Sequence, residues 1–219
     1  MIERGLDYSF PGLRAYFSRN IVYPVNFNDG SLTDTIVLSG ASVVVYDKRI
    51  ARKTGVTASS SIITYWGLDL SPTTAFPRID WDKKASVFFS IIRRASDAQN
   101  VTRVQLKAAT AIGILAEAGV GLQIDNLALT GEAYGSSRGT VDLSTSLTAG
   151  VPAYIEIRHL PAERIEFLVN GISKGTITAA ANIPSGAAAS DLCFSTANGA
   201  AGTDTTSDLI NVNILAGVA

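Results

Sequence analysis

The sequence predicts an all-β protein in which two antiparallel sheets pack face to face. Short stretches alternate apolar and polar residues, and strand patterns never alternate with helical ones. Turn signals recur about every 8–12 residues, which is typical of a β-sandwich. With 219 residues, of which 47% are hydrophobic, the chain is long enough for one large core. We therefore expect a single sandwich domain over residues 34–219, preceded by an extended N-terminal arm over residues 1–33.

The predicted arm is rich in aromatic residues that lie among prolines, glycines and Asn or Asp turns without a sustained period. They are Tyr8, Phe10, Tyr16, Phe17, Tyr23 and Phe27. Large aromatic side chains favour burial, so an arm that packs on its own domain or on a neighbouring subunit fits this composition. An ordinary first strand followed by a loop fits it equally well. For the arm, the expected contact residues are Tyr8, Phe10, Tyr16 and Phe17.

Strand signals follow along the middle of the chain. Short β-branched runs occur at residues 35–38 and 43–46, and residues 59–66 form a further candidate strand. Residues 86–92 read SVFFSII and are apolar at both odd and even positions, which predicts a central strand covered on both faces. Residues 101–118 combine alternation with helix-forming residues, and we expect two strands around a turn there.

In residues 120–129, the apolar positions switch from even to odd numbers. Val120, Leu122 and Ile124 alternate with polar or small residues, whereas the next apolar residues are Leu127 and Leu129. The chain must bulge or turn at Asp125-Asn126 to keep both sets in one core. Residues 131–140 are then expected to form a loop of glycine and serine residues.

The clearest local signal lies within residues 147–177. Residues 155–158 and 165–169 alternate apolar and charged or polar side chains, which predicts two half-buried strands, and Leu160-Pro161-Ala162 turns the chain between them. Asn170-Gly171 follows at once. Both central positions of a type I′ turn need positive φ, so this dipeptide is a strong hairpin signal. Three consecutive antiparallel strands are therefore predicted.

The charge balance excludes several function classes. Formally, 18 basic and 19 acidic residues give a net charge of −1, so the chain has no overall attraction to nucleic acid or to an anionic membrane. No run approaches the roughly 18 apolar residues of a membrane span. Glu3, Arg4 and Asp7 interrupt any secretory signal, so we expect synthesis in a cytoplasm. Only 17% of the residues are charged, which favours a surface partly covered by neighbours in an assembly.

Three segments of the chain resemble the second half of a concanavalin A-like lectin/glucanase jelly roll: AGVGLQIDNLALTGEAYG (118–135), residues 145–177 with their V-N-G hairpin, and NIPSGAAASDLCFS (182–195). The resemblance covers about residues 60–215. It implies an antiparallel two-sheet jelly-roll sandwich. Among proteins of this fold, a chain without a secretion signal and with an aromatic arm is most similar to surface proteins of virus and phage particles.

Glycoside hydrolases of this fold carry two carboxylates on one strand, facing the sugar. The nearest acidic spacing here is Glu163 and Glu166, which a strand places on opposite faces. The single histidine, His159, has no G-x-S-x-G motif to accompany it, and we interpret it as a structural residue. Cys193 is the single cysteine of the sequence, so an internal disulfide is excluded. It lies within the apolar run 192–194 and is expected to be buried. No metal site, cofactor or enzymatic activity is therefore expected.

Lectins of the same fold bind sugars through Asp and Asn oxygens together with an aromatic platform. The candidate ligand-binding residues are Trp81, Tyr134, Asp125 and Asn126. Asp142, Asn170 and Trp66 are further candidates by composition. Trp81 lies between charges in IDWDKK and is expected to be the exposed tryptophan, with Trp66 in the core. The alternative reading is that Asp125-Asn126 and Asn170 only make turns, which their residue types favour.

Together these observations predict a non-enzymatic structural protein of a virus or phage particle. Such a subunit would be found in the virion, with copies of itself and other particle proteins as partners. The alternative is a lectin-like module that binds host glycans for attachment. Both functions can coexist in one exterior protein, because fold alone does not determine function.

Overall fold

A computed structural model describes the backbone of residues 21–24, 32–38, 42–46, 49–53, 61–67, 78–94, 100–107, 113–189, 191–198 and 206–216, and most side chains from residue 79 onward. The described part is built of strands, with one 3₁₀ turn at Ala180–Asn182. No helix in it is long and apolar enough to cross a membrane. The arm residues Tyr8, Phe10, Tyr16 and Phe17, and the side chain of Trp66, lie outside the described part.

The described strands are numbered in chain order. They are β1 (Ile21–Pro24), β2 (Leu32–Leu38), β3 (Ser42–Tyr46), β4 (Arg49–Lys53), β5 (Ser61–Gly67), β6 (Arg78–Asp80), β7 (Ala85–Arg93), β8 (Asn100–Lys107), β9 (Gly119–Asp125), β10 (Ala128–Tyr134), β11 (Arg138–Ser146), β12 (Ala153–Leu160), β13 (Arg164–Val169), β14 (Ile172–Ile177), β15 (Ala187–Ala189), β16 (Asp191–Asn198) and β17 (Thr206–Ala216).

Two antiparallel sheets form the sandwich, as the sequence predicted. Sheet A has the order β14-β13-β12-β7-β17-β4-β3, with β1 also paired to β17. Sheet B has the order β11-β10-β9-β8-β16-β5-β2, and β6 pairs with β15 in a small separate ribbon. Part of the segment predicted as an arm, Ile21–Pro24, thus lies in sheet A as a strand.

The predicted hairpins of residues 147–177 are confirmed. β12 pairs with β13, and β13 pairs with β14. Asn170 and Gly171 have φ values of 52° and 78°, as a turn with two left-handed positions requires. Ala162, in the predicted turn between β12 and β13, has a φ of 56°. Local sequence chemistry therefore sets this corner of sheet A.

The central strand is also confirmed. β7 lies between β12 and β17, and all nine of its residues are buried. Its inward side chains join one hydrophobic core with those of β8, β9, β12, β13 and β16. On β10, Gly131 faces this core because a Cβ there would lie 2.7 Å from the Phe167 ring. A glycine at this position therefore admits a large aromatic side chain between the sheets.

One prediction about local structure is wrong, and a second is tested only in part. Of residues 101–118, where two strands were predicted, residues 101–107 belong to β8 and residues 113–118 lie outside any strand, while residues 108–112 are outside the described part. Residues 131–140 are mostly strand, and only residues 135–137 form the loop between β10 and β11. Residues 131–140 contain three glycines, and the backbone pairing of β10 with β9 and β11 overrides the local preference for a loop there. Both segments bear on the site described below.

Candidate functional site

Polar side chains occupy the outward side of strands β8–β11. Alternate residues of these strands, such as Val104, Leu106, Val120 and Leu122, belong to the core, so the residues between them face away from it. The strand registers arrange the outward residues in three rows: Arg103–Gln123–Thr130–Asp142, Gln105–Gly121–Glu132–Thr140 and Lys107–Gly119–Tyr134–Arg138. We call these twelve residues the polar face.

Glu132 lies at the centre of the polar face and is fully buried. Arg138 donates to its Oε2 from both Nε, at 3.2 Å, and Nη2, at 2.9 Å. Gln105 donates from Nε2 to its Oε1 at 2.7 Å. Both carboxylate oxygens are thus engaged by groups of the protein itself, as a buried charge requires. Glu132 therefore anchors its neighbours and holds the Arg138 guanidinium at the edge of the sheet.

A segment of the chain covers part of the polar face. Gln105 Nε2 also donates to the carbonyl oxygen of Gly113 at 3.0 Å. Leu115 is buried and lies over the glycines of β9, so that a Cβ built on Gly121 would be 3.2 Å from Leu115 Cδ1. We call residues 113–118 the cover. The missing side chain at Gly121 lets the cover approach the sheet closely.

The rest of the polar face remains accessible around this cover. Arg103, Gln123, Thr130, Tyr134 and Arg138 are partly exposed, and Thr140 and Asp142 are exposed. Arg103 Nη2 donates to Gln123 Oε1 at 3.0 Å, which fixes both planar groups. The accessible part is therefore a strip of oriented guanidinium, amide and hydroxyl groups with an aromatic ring at one end.

Two cations of the polar face are in a poorly hydrated environment. Burial lowers the pKa of the Arg103 guanidinium; nearby Glu132 and Asp125 oppose that change, and Arg138 adds to it. Burial likewise lowers the pKa of the Lys107 ammonium, against the opposing effects of Cys193, Glu117 and Glu132. Arg103, Lys107 and Arg138 thus lie around one central carboxylate, Glu132, with Asp125 also near Arg103 and Glu117 also near Lys107.

The structure places Trp81 in the core, which corrects its predicted exposure. The residue is 0% exposed, and its backbone N–H donates to the Gly186 carbonyl oxygen at 2.9 Å. Its ring meets that of His159 edge-on, with the ring centroids 5.2 Å apart. The charged neighbours of IDWDKK alternate outward while Ile79 and Trp81 alternate inward. A ring so enclosed has no free face on which a sugar could stack.

The other predicted ligand-binding residues do not come together. Tyr134 pairs with Gly119 at one end of the β9–β10 hairpin, whereas Asp125 pairs with Ala128 at the other. Six residues of strand separate these ends, a distance of about 20 Å. Asn126 makes the turn, as its alternative reading predicted, with a φ of 57° and its N–H donating to the Asn100 carbonyl oxygen. Of the four, only Tyr134 belongs to the polar face.

The other residues considered from the sequence as catalytic candidates make contacts within the protein or lie apart at the surface. His159 is buried, with Nδ1 3.2 Å from the Lys83 carbonyl oxygen and Nε2 3.1 Å from that of Pro184. Burial lowers the pKa of His159, against the effect of these two carbonyls. Glu166 lies 3.6 Å from Arg158, and Glu163 is exposed in the turn before β13. In the described part of the chain, no three or more His, Cys, Asp or Glu side chains gather as metal ligands.

Sequence reasoning missed most of the polar face. A sequence signal for the face is nevertheless present, because every second residue of three consecutive strands is polar or glycine. These residues are Arg103, Gln105 and Lys107 on β8, Gly119, Gly121 and Gln123 on β9, and Thr130, Glu132 and Tyr134 on β10. Recognising the face requires the register that brings these three sets side by side. Cys193 is buried as predicted, but it lies beside Gln105, on the outward side of sheet B.

The fold is shared with several solved structures. No family model and no curated protein matches the sequence. An endo-β-1,4-glucuronan lyase from the fungus Trichoderma reesei matches with a TM-score of 0.62 and 9% identity, over 90% of this chain and 95% of that one. A protein of unknown function from Shewanella oneidensis MR-1 matches with a TM-score of 0.61 and 14% identity, over 91% and 87% of the two chains.

A sialidase matches with a TM-score of 0.60 and 14% identity over 88% of this chain, which spans only 18% of the sialidase. At these identities the similarity shows the fold alone. It supports the predicted concanavalin A-like jelly roll and shows no link to a virus.

Proposed function

We propose that this chain is a lectin-like module that binds carbohydrate on the polar face. The observation that carries the proposal is the accessible strip in which Arg103, Gln123 and Arg138 are held by hydrogen bonds within the protein. Sugar hydroxyls need donors and acceptors at fixed positions, and groups that are already oriented lose little entropy on binding. Tyr134 at the end of the strip supplies a ring for stacking. The fold is also that of a lyase and a sialidase, which are named for carbohydrate substrates.

The proposed module binds glycans without cleaving them. Its central carboxylate, Glu132, is buried and already accepts hydrogen bonds on both oxygens. The next carboxylate in the rows, Asp142, is exposed and accepts from the Ser144 backbone N–H at 2.8 Å. An acid and a nucleophile flanking a glycosidic bond would both have to reach the sugar. This geometry favours binding over catalysis.

A glycan array probed with the full chain tests the proposal, with hits measured by titration calorimetry. We expect Tyr134→Ala to weaken binding about tenfold, the equivalent of about 1.4 kcal/mol. Tyr154→Ala is the matched control, because Tyr154 is 52% exposed on the outward side of sheet A. The absence of any hit, or equal losses in the two variants, would contradict a glycan site on the polar face.

The second proposal is that the module is a structural component of a virus or phage particle, where it binds host glycans. It is supported by the low charged fraction, 17%, and by three large apolar side chains exposed at one end of sheet A: Val151 at 50%, Tyr154 at 52% and Ile172 at 61%. The aromatic arm would then make contacts between subunits, as the sequence predicts for Tyr8, Phe10, Tyr16 and Phe17.

Light scattering on the full chain tests this assembly role. We expect a defined oligomer that dissociates when Tyr8, Phe10, Tyr16 and Phe17 are all replaced by serine. A control with Phe27→Ser alone should keep the oligomer, since Phe27 is not among the four expected contact residues. A wild-type chain that stays monomeric at high concentration would remove the basis for the particle role and leave the glycan-binding proposal intact.

A further inference from the structure

The polar face contains a cation that the described protein groups do not neutralise by contact. Arg103 donates from Nη2 to the neutral amide oxygen of Gln123. The nearest carboxylate in the rows, Glu132, is fully used by Arg138 and Gln105. Within the described part of the chain, Arg103 Nε is buried and has no hydrogen-bond partner. The guanidinium therefore retains both its charge and an unsatisfied donor.

This arrangement is costly, and an anion bound to the same guanidinium would offset part of the cost by balancing its charge. A buried donor without a partner loses its hydration and receives nothing in return. Arg138 adds a second positive charge close to Arg103, and its own Nε and Nη2 are already committed to Glu132. The side chain of Arg103 is partly exposed although its Nε is buried, so an anion would approach the guanidinium from the Nη side. The site thus favours a negatively charged group over a neutral hydroxyl.

Resting on the proposed glycan-binding function, we propose that the ligand is an acidic glycan whose sugar carboxylate binds at Arg103. A planar guanidinium matches the geometry of a carboxylate and binds it through two parallel hydrogen bonds. Gln123 is the register partner of Arg103, and Thr130 follows in the same row, so both are placed to meet sugar hydroxyls next to the bound carboxylate. The ligand class is therefore a uronic or sialic acid oligosaccharide, bound on the outward side of β8–β11.

The test compares two ligands that differ only in the carboxylate. Titration calorimetry of the full chain is run with β-1,4-linked oligomers of glucuronic acid and with the same oligomers after reduction of each carboxyl group to an alcohol. We expect the acidic oligomer to bind about ten- to a hundredfold more tightly, with an affinity that falls as salt rises. This comparison uses the unaltered protein and so does not depend on the folding of any variant.

Variants then assign the effect to Arg103. Arg103→Gln should lower the affinity for the acidic oligomer at least about tenfold, and Arg103→Lys should restore part of it, because lysine keeps the charge without the planar fork. Arg158→Gln is the matched control: Arg158 lies on the outward side of sheet A and is paired with Glu156 and Glu166. We expect no change in binding for this control.

The outcomes separate the two proposals. Equal binding of the acidic and reduced oligomers would overturn the acidic-ligand proposal and leave glycan binding standing. No binding of either oligomer, together with an array without hits, would overturn both proposals. Binding of a sulfated oligomer but not of a carboxylated one would show that the anion site exists and that the carboxylate assignment is wrong. Equal losses in Arg103→Gln and Arg158→Gln would place the anion site elsewhere.

Discussion

The outward sides of the two sheets use the same chemical groups in opposite proportions. On sheet A, one guanidinium faces two carboxylates: Arg158 Nη2 lies 2.9 Å from Glu156 Oε2, and Nη1 lies 3.6 Å from Glu166 Oε2. On the polar face of sheet B, one buried carboxylate, Glu132, has three cations around it, namely Arg138, Arg103 and Lys107. On sheet A, every charged group of this set has an ion-pair partner within the set. On the polar face, Arg103 Nη2 donates to a neutral amide oxygen and Nε has no partner, which is why we propose this face as the binding surface.

The largest difference between the two sides should appear in stability. Glu132→Gln removes the negative charge around which the cations of the polar face are buried, and we expect it to lower the free energy of unfolding by about 3 kcal/mol. Glu156→Gln makes the same chemical change on sheet A, where Arg158 is 35% exposed and keeps Glu166, and should cost less than about 1 kcal/mol. Urea denaturation of both variants measures this difference. Equal losses would mean that burial does not distinguish the two sides.

The cover allows a second test of the comparison, because residues 113–118 lie against the polar face of sheet B. Gly121→Val would place a Cβ 2.8 Å from Gln105 Cγ and 3.2 Å from Leu115 Cδ1. We expect the cover, residues 113–118, to lift from the sheet, with a loss of about 1–3 kcal/mol in stability. Hydrogen exchange of the cover amides measures this displacement. Thr140→Val, in the same row but exposed, is the control and should leave the exchange of the cover unchanged.

The smallest expected effect concerns pH and belongs to the inner side of sheet A. Burial lowers the pKa of His159, so the unfolded chain binds a proton more readily than the folded one. The resulting stability is complete above the ordinary value of 6.5 and is lost as the pH falls through the lower folded-state pKa. We expect the free energy of unfolding to decrease between about pH 7.5 and pH 5.

His159→Gln should flatten that dependence, since glutamine does not titrate. Thermal melts of wild type and variant across the pH range measure the effect. A wild-type protein whose stability rises as the solution is acidified would show that the two carbonyl contacts, to Lys83 and Pro184, outweigh the cost of burying the charged ring.

Local sequence patterns predicted what depends on neighbouring residues in the chain. The Asn170-Gly171 turn, the alternating strands on either side of it and the wholly buried β7 were all predicted correctly. These features are determined by backbone conformation and by apolar periodicity, which a short window contains. The local pattern also predicted that Trp81 is exposed, which is wrong. The charged residues next to it point outward, whereas the alternation of side chains turns the Trp81 ring into the core.

The candidate site could not be predicted from short stretches of sequence. Glu132 lies in a segment whose glycines predicted a loop, and the cover lies in a segment predicted as a second strand. Pairing of β10 with both β9 and β11 overrides the loop preference and puts Glu132 between Gly121 and Thr140. Without that register, Gln105, Glu132 and Arg138 are three unrelated polar residues.

Composition and apolar period were enough to predict the class of fold and the hairpins of residues 147–177, and a single cysteine rules out an internal disulfide. By contrast, the packing of the sheets determines which polar residues share a face, which carboxylate is buried and which cation has an unsatisfied donor. The physical reason is that hydrogen bonds and desolvation act between side chains tens of residues apart, such as Gln105 and Glu132 or Arg103 and Gln123. Their strength depends on a distance and a burial that only the packed sheets define.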